Sequence, residues 1–276
     1  MTVQKAETRA VRARTPATDK DSNPWQLAGP GFRTLANVAW PLLAVFILWE
    51  LVVLVNGYSE FVMPRPLAVV GHALGNSDKF LGPAVGTVLL SIPGTVLGLL
   101  LGSVLAIAVW YSSILDGLIS PTTAVLRSIP IIAMLPVIGR LVGYNDITII
   151  IIVTLLSFFP AFVLVLSRLR QPAGSSEDVF RVLGASRLTT LGRLLLPQAI
   201  PGLLAAMRLT APFGIGGVIL GQFLLGTGGL GKLITDSMVR SDTLSVWVVA
   251  CITTLVSIIV FALTKWAEET IAPKFQ

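Results

Sequence analysis

The sequence predicts an all-α integral membrane protein with about six transmembrane helices. Hydrophobic residues make up 54% of the 276 residues and charged residues only 12%, whereas a soluble domain carries about 25% charged residues. Four stretches contain no charged residue, and each reaches the ~20 residues that a helix needs to cross the hydrocarbon core. These stretches are 80–115, 147–167, 209–231 and 243–264. Membrane β-strands would instead alternate over segments of about 10 residues, and these stretches do not alternate.

Apolar periodicity and length together predict where the spans lie. The third is interrupted by Arg127, so its start is the least well defined. The six predicted spans are 36–55, 84–111, 118–140, 147–167, 199–225 and 246–265. We therefore divide the chain into a tail (1–35), a first transmembrane segment (36–60), an external connection (61–83), a transmembrane core (84–267) and a C-terminal end (268–276).

The distribution of basic residues predicts the orientation. Thirteen of the twenty Lys and Arg residues fall in the tail, in the segment 168–193 or near the C-terminus, and five fall on the opposite side. Because Lys and Arg are enriched in cytoplasmic segments, both termini are expected in the cytosol of a protein in the cell (inner) membrane. The tail has no apolar core of the kind that a signal peptide needs, and its composition is typical of a disordered segment.

Composition also excludes several classes of function. The net charge of +6 follows membrane sidedness, so we expect no nucleic-acid partner. His72 and Cys251 are the only His and Cys, which leaves no metal-ligating set. The sequence shows no paired carboxylates and no nucleophile with a base, so nothing in it indicates an enzyme. The segment 226–232, GTGGLGK, has the spacing of a phosphate loop, but Leu233 follows it where Ser or Thr would hold magnesium, so we predict an external turn.

Glycines repeat at four-residue intervals within two of the predicted spans. Small residues at this spacing let helices approach closely in lipid. We therefore predict helix-packing roles for Gly94, Gly98, Gly102, Gly217 and Gly221, with a moving hinge as the alternative.

Polar residues within the spans are candidates for the translocation pathway, because an arginine at the bilayer centre costs roughly 2.5–3.5 kcal/mol on insertion scales. Arg127 and Arg208 either face a hydrated pathway and attract an anion, or extend to the cytosolic interface or pair structurally. Gln222 is a third candidate. Glu50 is the only acidic residue deep in a span.

A polar, basic loop at 168–197 separates two of the spans. After Asp178, the residues Val179, Phe180 and Leu183 share one face of a short helix, and Gly184 offers a left-handed C-terminal stop. One interpretation is a helix that lies at the membrane interface. The other is an apolar helix that enters a groove on a partner protein.

The spacing of this loop resembles the ATPase-coupling loop in the permease subunits of ATP-binding-cassette (ABC) importers. That loop has the pattern Glu-Ala-Ala, three residues, Gly, nine residues, Ile, one residue, Leu-Pro. Asp178, Val179 and Phe180 stand at its first three positions and differ from them in identity, whereas the glycine and Leu-Pro are present. The positions that the resemblance assigns to ATPase coupling are Asp178, Val179, Phe180, Leu183, Gly184, Ala185, Leu196 and Pro197.

Other segments within residues 60–267 resemble one branch of these permeases, which transports sulfonates, taurine, nitrate and thiamine precursors. The matching segments are MPRPLAVV from Met63, LRSIPIIAMLP from Leu126, PGLLAAMRL from Pro201 and GTGGLGKLI from Gly226. Gln222 departs from the branch, where an acidic residue is expected.

The resemblance implies a type I (MetI-like) importer permease with two cytosolic ABC ATPases, an extracellular or periplasmic substrate-binding protein, and a second copy or paralogue in the bilayer. ATP and magnesium would bind the ATPases, and this non-catalytic chain would hold no cofactor. The expected substrate is an aliphatic sulfonate, taurine, nitrate or a vitamin precursor. The alternative is an ion-coupled transporter that works without an ATPase.

Overall fold

The computed structural model describes residues 30–126, 130–171 and 176–275, and within these residues the regular structure is helical. The chain divides into two compact units, Met1–Asn56 and Gly57–Gln276. The first contains helix α1, Pro30–Asn56, which includes the predicted first span. Arg127 and the tail residues 1–29 lie outside the described residues.

Four helical segments in the second unit are long and apolar enough to cross a membrane. They contain α3, α6, α9 and α11, which cover the predicted second, fourth, fifth and sixth spans. Their bounds are α3, Ser77–Tyr111; α6, Asp146–Arg170; α9, Leu196–Leu225; and α11, Thr243–Ile271. The protein is therefore an α-helical membrane protein, as the composition predicts.

Shorter helices connect these four. They are α2, Pro66–Gly75; α4, Ser113–Leu126; α5, Leu135–Val142; α7, Ser176–Val182; α8, Arg187–Thr190; and α10, Gly229–Val239. A 3₁₀ turn, Ile131–Met134, precedes α5, and a second, Ala272–Phe275, ends the described chain. A π-helical turn, Leu191–Leu195, joins α8 to α9.

The prediction of one continuous helix over 118–140 is wrong. The backbone is extended at Pro130 (φ −72°, ψ 90°), and the chain re-enters helix through the 3₁₀ turn before α5. Proline cannot donate the i→i−4 hydrogen bond and disfavours helical geometry in the residue before it. Pro130 thus lies outside helix ahead of α5, whereas Pro136 stands in the first turn of α5, where a proline is tolerated.

Helix α6 lies between α3 and α9, and both glycine series face it. A Cβ atom at Gly94 would lie 2.6 Å from Val153 Cβ, and one at Gly98 would lie 2.5 Å from the Thr154 carbonyl oxygen. On the side of α9, a Cβ atom at Gly221 would lie 2.9 Å from a side-chain carbon of Ile149. Gly102 and Gly217 approach α6 in the same way, at Ala161 and Leu156. The backbones therefore pack closely because the glycines have no side chains.

A polar cluster ties α2 and α3 to the start of α11. Lys79 Nζ donates to Asp242 Oδ2 at 2.9 Å and to Ser245 Oγ at 2.6 Å, and His72 Nε2 lies 3.2 Å from the same hydroxyl. Asp242 also caps α11 by accepting from the Ser245 amide at 3.1 Å. Partial burial raises the pKa of Asp242, but the hydrogen bonds from Lys79 and Ser245 outweigh it and hold that pKa at about 2, below the ordinary 3.8.

Candidate functional site

The loop after α6 forms a short helix with a defined end. Helix α7 stops at Gly184, whose φ of +72° is left-handed. The Ala185 amide donates to the Phe180 carbonyl at 2.9 Å, and the Gly184 amide donates to the Arg181 carbonyl at 3.0 Å. This pair of bonds is a Schellman motif, which satisfies the last carbonyls of a helix. Ser186 then caps α8 by accepting from the Thr189 amide at 3.2 Å, so both sides of the turn are fixed.

The apolar residues of α7 divide between the protein interior and its surface. Phe180 is half-buried and packs against a core cluster that includes Phe162, Leu166 and Leu195. Val179 is 52% exposed and Leu183 is 77% exposed. Val182, which the sequence analysis did not select, is 87% exposed. We call Val179, Val182 and Leu183 the α7 apolar surface. Exposed apolar side chains on so short a polar helix suit contact with the membrane interface or with a partner.

The remaining predicted coupling residues lie on α7, in the turn after it and at the start of α9. Asp178 is exposed on α7, and Ala185 is half-buried in the turn. Ala185 contributes, with Trp110, Arg181, Arg187 and Thr190, to a cavity of about 400 Å³ below the turn. Leu196 and Pro197 begin α9, directly after the buried Leu194 and Leu195. The predicted coupling residues thus belong to one chain segment that runs from α7 to the start of α9.

Arg208 is paired rather than isolated. Its Nε lies 3.1 Å from Glu268 Oε2 on α11, and both side chains are mostly buried. The two atoms are close enough for charge pairing, although they do not align as a hydrogen bond. Glu268 was not selected from the sequence, because it lies 60 residues from Arg208 and beyond the last predicted span. An opposite charge beside a buried arginine reduces the cost of burial.

Gln222 is 3% exposed and holds the turn at 226–231, which we call the glycine turn, against α3. Thr87 Oγ1 donates to Gln222 Oε1 at 2.9 Å and accepts from the Leu230 amide at 3.0 Å. The Gly231 amide donates to the same Oε1 at 3.3 Å. Thr87, the buried partner that sequence analysis missed, is 135 residues from Gln222, so no local spacing indicated it. As pathway residues, Arg127, Arg208 and Gln222 stay predictions.

The glycine turn itself is irregular. Gly226, Gly228 and Gly229 all have positive φ, at +68°, +145° and +61°, a geometry that glycine adopts at little cost. No group of three or more His, Cys, Asp or Glu side chains that would hold a metal ion occurs in the described ranges.

The long apolar helices define a class, that of helical multi-pass membrane proteins. A family model makes this specific. The chain belongs to the family described as "binding-protein-dependent transport system inner membrane component", whose model matches residues 94–272. It is a permease subunit of the ABC importer type, as the loop resemblance implies. The comparisons give no support to the ion-coupled alternative.

Curated relatives carry the match over most of the chain. A formylaminopyrimidine transport permease (ThiX) of Halalkalibacterium halodurans is 25% identical over 84% of this chain and 92% of its own. A riboflavin transport permease (RibX) of Chloroflexus aurantiacus is 24% identical over 87% and 93%. A putative aliphatic sulfonate permease (SsuC) of Bacillus subtilis is 24% identical over 72% and 73%.

Solved structures have the same fold. The MetNI methionine ABC transporter, in an inward-facing conformation, aligns with a TM-score of 0.57 at 21% identity, over 69% of this chain and 93% of that one. An amino acid ABC transporter with histidines aligns with a TM-score of 0.61 at 17% identity, over 72% and 97%. The fold is therefore that of a MetI-type permease.

Proposed function

We propose that two copies of this chain, or this chain and a paralogue, form a pathway driven by two cytosolic ATPases that dock on the α7 apolar surface. An extracellular or periplasmic binding protein delivers the substrate. Both termini lie in the cytosol, and ATP and magnesium bind the ATPases, while this chain catalyses no reaction. The observation that carries the proposal is the exposure of Val182 and Leu183 on a capped helix of the segment that resembles the coupling loop.

The packing of α7 supports a mechanical role. Phe180 anchors the helix in a cluster that includes Val109 of α3 and Val165 of α6. A displacement of the exposed face therefore reaches the transmembrane helices through packed side chains rather than through a flexible linker. The Schellman motif and the Ser186 cap keep α7 and α8 in fixed relation. When ATP closes the ATPases, α7 transmits the movement and the cavity between the two permease subunits opens outward.

The substrate that we propose is a small solute: an aliphatic sulfonate, taurine, nitrate or a vitamin precursor such as a pyrimidine or riboflavin. The names of relatives, which are permeases for a formylaminopyrimidine, aliphatic sulfonates and riboflavin, support the sulfonate and the vitamin precursors. Arg127, Arg208 and Gln222 are the proposed pathway residues. The pairing of Arg208 with Glu268 supports the structural alternative for this arginine. If Arg208 contacts an anionic substrate, Arg208→Gln lowers uptake while the complex still assembles. Loss of assembly supports the structural role.

The ATPase partnership is tested by purifying the tagged chain gently from its native host and identifying the proteins that co-purify. We expect an ABC ATPase with the wild type and its loss with Leu183→Asp, because a charge on the apolar surface cannot be desolvated at an interface. Leu188→Asp is the matched control, since Leu188 is 66% exposed but lies on α8. A stable wild-type chain that carries no ATPase, or equal capture by both variants, would contradict the proposal.

The energy source gives a second test of the same function. Uptake should disappear with a catalytically dead ATPase partner and persist when an uncoupler removes the proton gradient. The opposite pattern would favour ion coupling.

A further inference from the structure

A cavity of about 450 Å³ lies beside the glycine turn, and we call it the glycine-turn cavity. Its volume is within the range of about 300–1,000 Å³ that is typical of small-molecule sites. Its lining combines apolar residues of α3 with polar residues from the start of α6, the end of α9 and the turn that follows α9. The lining residues that matter here are Leu89, Pro93, Asp146, Gln222 and Thr227.

The hydrogen bonds fix which way the Gln222 carboxamide points. Leu230 N–H donates to Thr87 Oγ1, so the Thr87 hydroxyl hydrogen is available for Gln222. The Gly231 amide is a second donor to the same Gln222 atom. An atom that receives two donors must be the carboxamide oxygen. The amide nitrogen is therefore the other terminal atom, and it has no hydrogen-bond partner within the described part of the chain.

Thr227 presents a second polar group without a partner. Its Oγ1 is buried and makes no hydrogen bond to the described residues. Buried donors are nearly always satisfied in native proteins, and leaving one unpaired is unfavourable. Gln222 and Thr227 both line the same cavity, and a bound molecule with hydrogen-bond acceptors would satisfy the donors of both.

Asp146 adds a charge that restricts the choice of ligand. It is the first residue of α6, it is exposed, and it lines the same cavity. A carboxylate repels a bare anion and attracts an ammonium or amino group. The apolar part of the lining, with Leu89 and Pro93, suits a short hydrocarbon chain or a flat ring.

We infer that the glycine-turn cavity binds an amine-bearing small solute, with its acceptor end at Gln222 and Thr227 and its amino group at Asp146. The inference rests on the proposed function and deepens it: this permease selects amine-bearing solutes over simple anions such as nitrate. Selection occurs at the glycine turn, where the substrate meets the permease.

The test uses taurine and isethionate, which have the same two-carbon sulfonate skeleton and differ in an ammonium or a hydroxyl group. The full-length chain, with its co-purifying subunits, is placed in nanodiscs as the Cys251→Ser, Leu89→Cys variant. Leu89 is 60% exposed and lines the cavity, so a cysteine there reports occupancy by its rate of maleimide labelling. We expect taurine to slow labelling at a concentration roughly tenfold lower than isethionate, because a hydrogen bond to a charged group contributes about 1.5–3 kcal/mol.

Two variants assign the contacts. Asp146→Asn should make taurine and isethionate equally protective, and Thr227→Val should weaken protection by both compounds severalfold. Thr210→Val is the matched control. Like Thr227, Thr210 has a buried hydroxyl that makes no hydrogen bond to the described residues, but Thr210 lies on α9 and does not line the cavity. It should leave protection unchanged.

Three results would overturn the inference. They are equal protection by the two compounds in the protein that retains Asp146, no protection by either compound, and equal effects of Thr227→Val and Thr210→Val. ATPase capture by the same preparations separates this outcome from failure of the proposed function. Capture without protection removes the binding site alone, whereas loss of capture in the wild type removes the importer assignment.

Discussion

The turn at Gly184 and the turn at 226–231 both depend on left-handed glycines, but they are held in different ways. Gly184 has no atom within 4 Å of the position that a Cβ would occupy, and the residues around it are mostly exposed. At the other turn, Gly229 and Gly231 pack directly onto Gln222, and Thr87 binds both Gln222 and Leu230. The first turn is fixed by its own backbone and leaves its side chains free for a partner. The second is fixed by the rest of the chain.

This difference separates two requirements of a transport subunit. A surface that docks a separate protein binds more tightly when it is ordered before docking, since ordering a segment on binding reduces affinity. A turn beside a solute cavity must instead hold its polar groups in place against α3. Glycine serves both turns, but only the second also needs the absence of a side chain for packing.

The largest effect should come from Gly231→Ala. The added Cβ would meet the Ile219 carbonyl oxygen and lie 2.6 Å from Gln222 Cβ, so the turn must move away from α9. We expect a loss of about 3 kcal/mol in stability, measured as the thermal unfolding midpoint in detergent. Gly184→Ala is the matched variant and should lose only about 1–2 kcal/mol, from left-handed strain alone. Equal losses would show that the two turns are held alike.

Thr87→Val should have the next largest effect. The substitution keeps the shape of the side chain but leaves the buried Leu230 amide without its acceptor. A loss of about 2 kcal/mol is expected, and the labelling rate of a cysteine at Leu89 should rise as the turn loosens. Thr254→Val removes an exposed hydroxyl that bonds only within α11 and should change neither quantity.

Phe180→Ala should act on coupling more than on stability. Phe180 is only half-buried, so truncation should cost about 1–2 kcal/mol, less than for a fully buried aromatic residue. The ATPase should still be captured because the α7 apolar surface remains, while ATP-driven uptake falls. Uptake equal to wild type would mean that force does not pass through this side chain.

The smallest effect concerns the polar cluster at the start of α11. The pKa of Asp242 is about 2 in the folded protein and 3.8 in its ordinary state, so the folded state binds fewer protons. Its contribution to stability is therefore complete above about pH 4 and is lost as the pH falls towards 2. Because Asp242 and Lys79 are partly exposed, we expect a decrease of about 2–4 °C in the unfolding midpoint.

Asp242→Asn provides the control for this pH dependence. The variant should show the lower midpoint already at neutral pH and should lose the part of the pH dependence that the wild type shows between pH 4 and 2. A wild-type midpoint that does not change relative to the variant across this interval would contradict the assignment.

Sequence analysis predicted the long helices because an uncharged stretch of membrane length has few alternatives to a buried helix. The prediction of the third span failed at 118–140. The apolar character of the sequence continues through Pro130, but the helical hydrogen-bonding pattern does not. The end of α7 at Gly184 was predictable because left-handed caps have a local signature.

The side-chain partners were not predictable. Arg208 and Glu268 meet across two helices, and Gln222 and Thr87 meet across two others, so each pair depends on helix rotation and register. The inward orientation of Phe180 has the same cause. Sequence spacing places Phe180 on the same helical face as Val179 and Leu183. Only the tertiary fold decides which of these side chains enters the core.

Close packing of α3 against α6 also limits how these helices move. Gly94, Gly98 and Gly102 admit the backbone and side chains of α6 at three successive turns. A rotation of α3 would bring Leu97 or Leu101 to the positions of these glycines, and the contact has no room for a leucine side chain. A slide of α3 by one helical turn would displace the contacts by about 5.4 Å. We therefore expect α3 and α6 to move together as a single rigid body during transport.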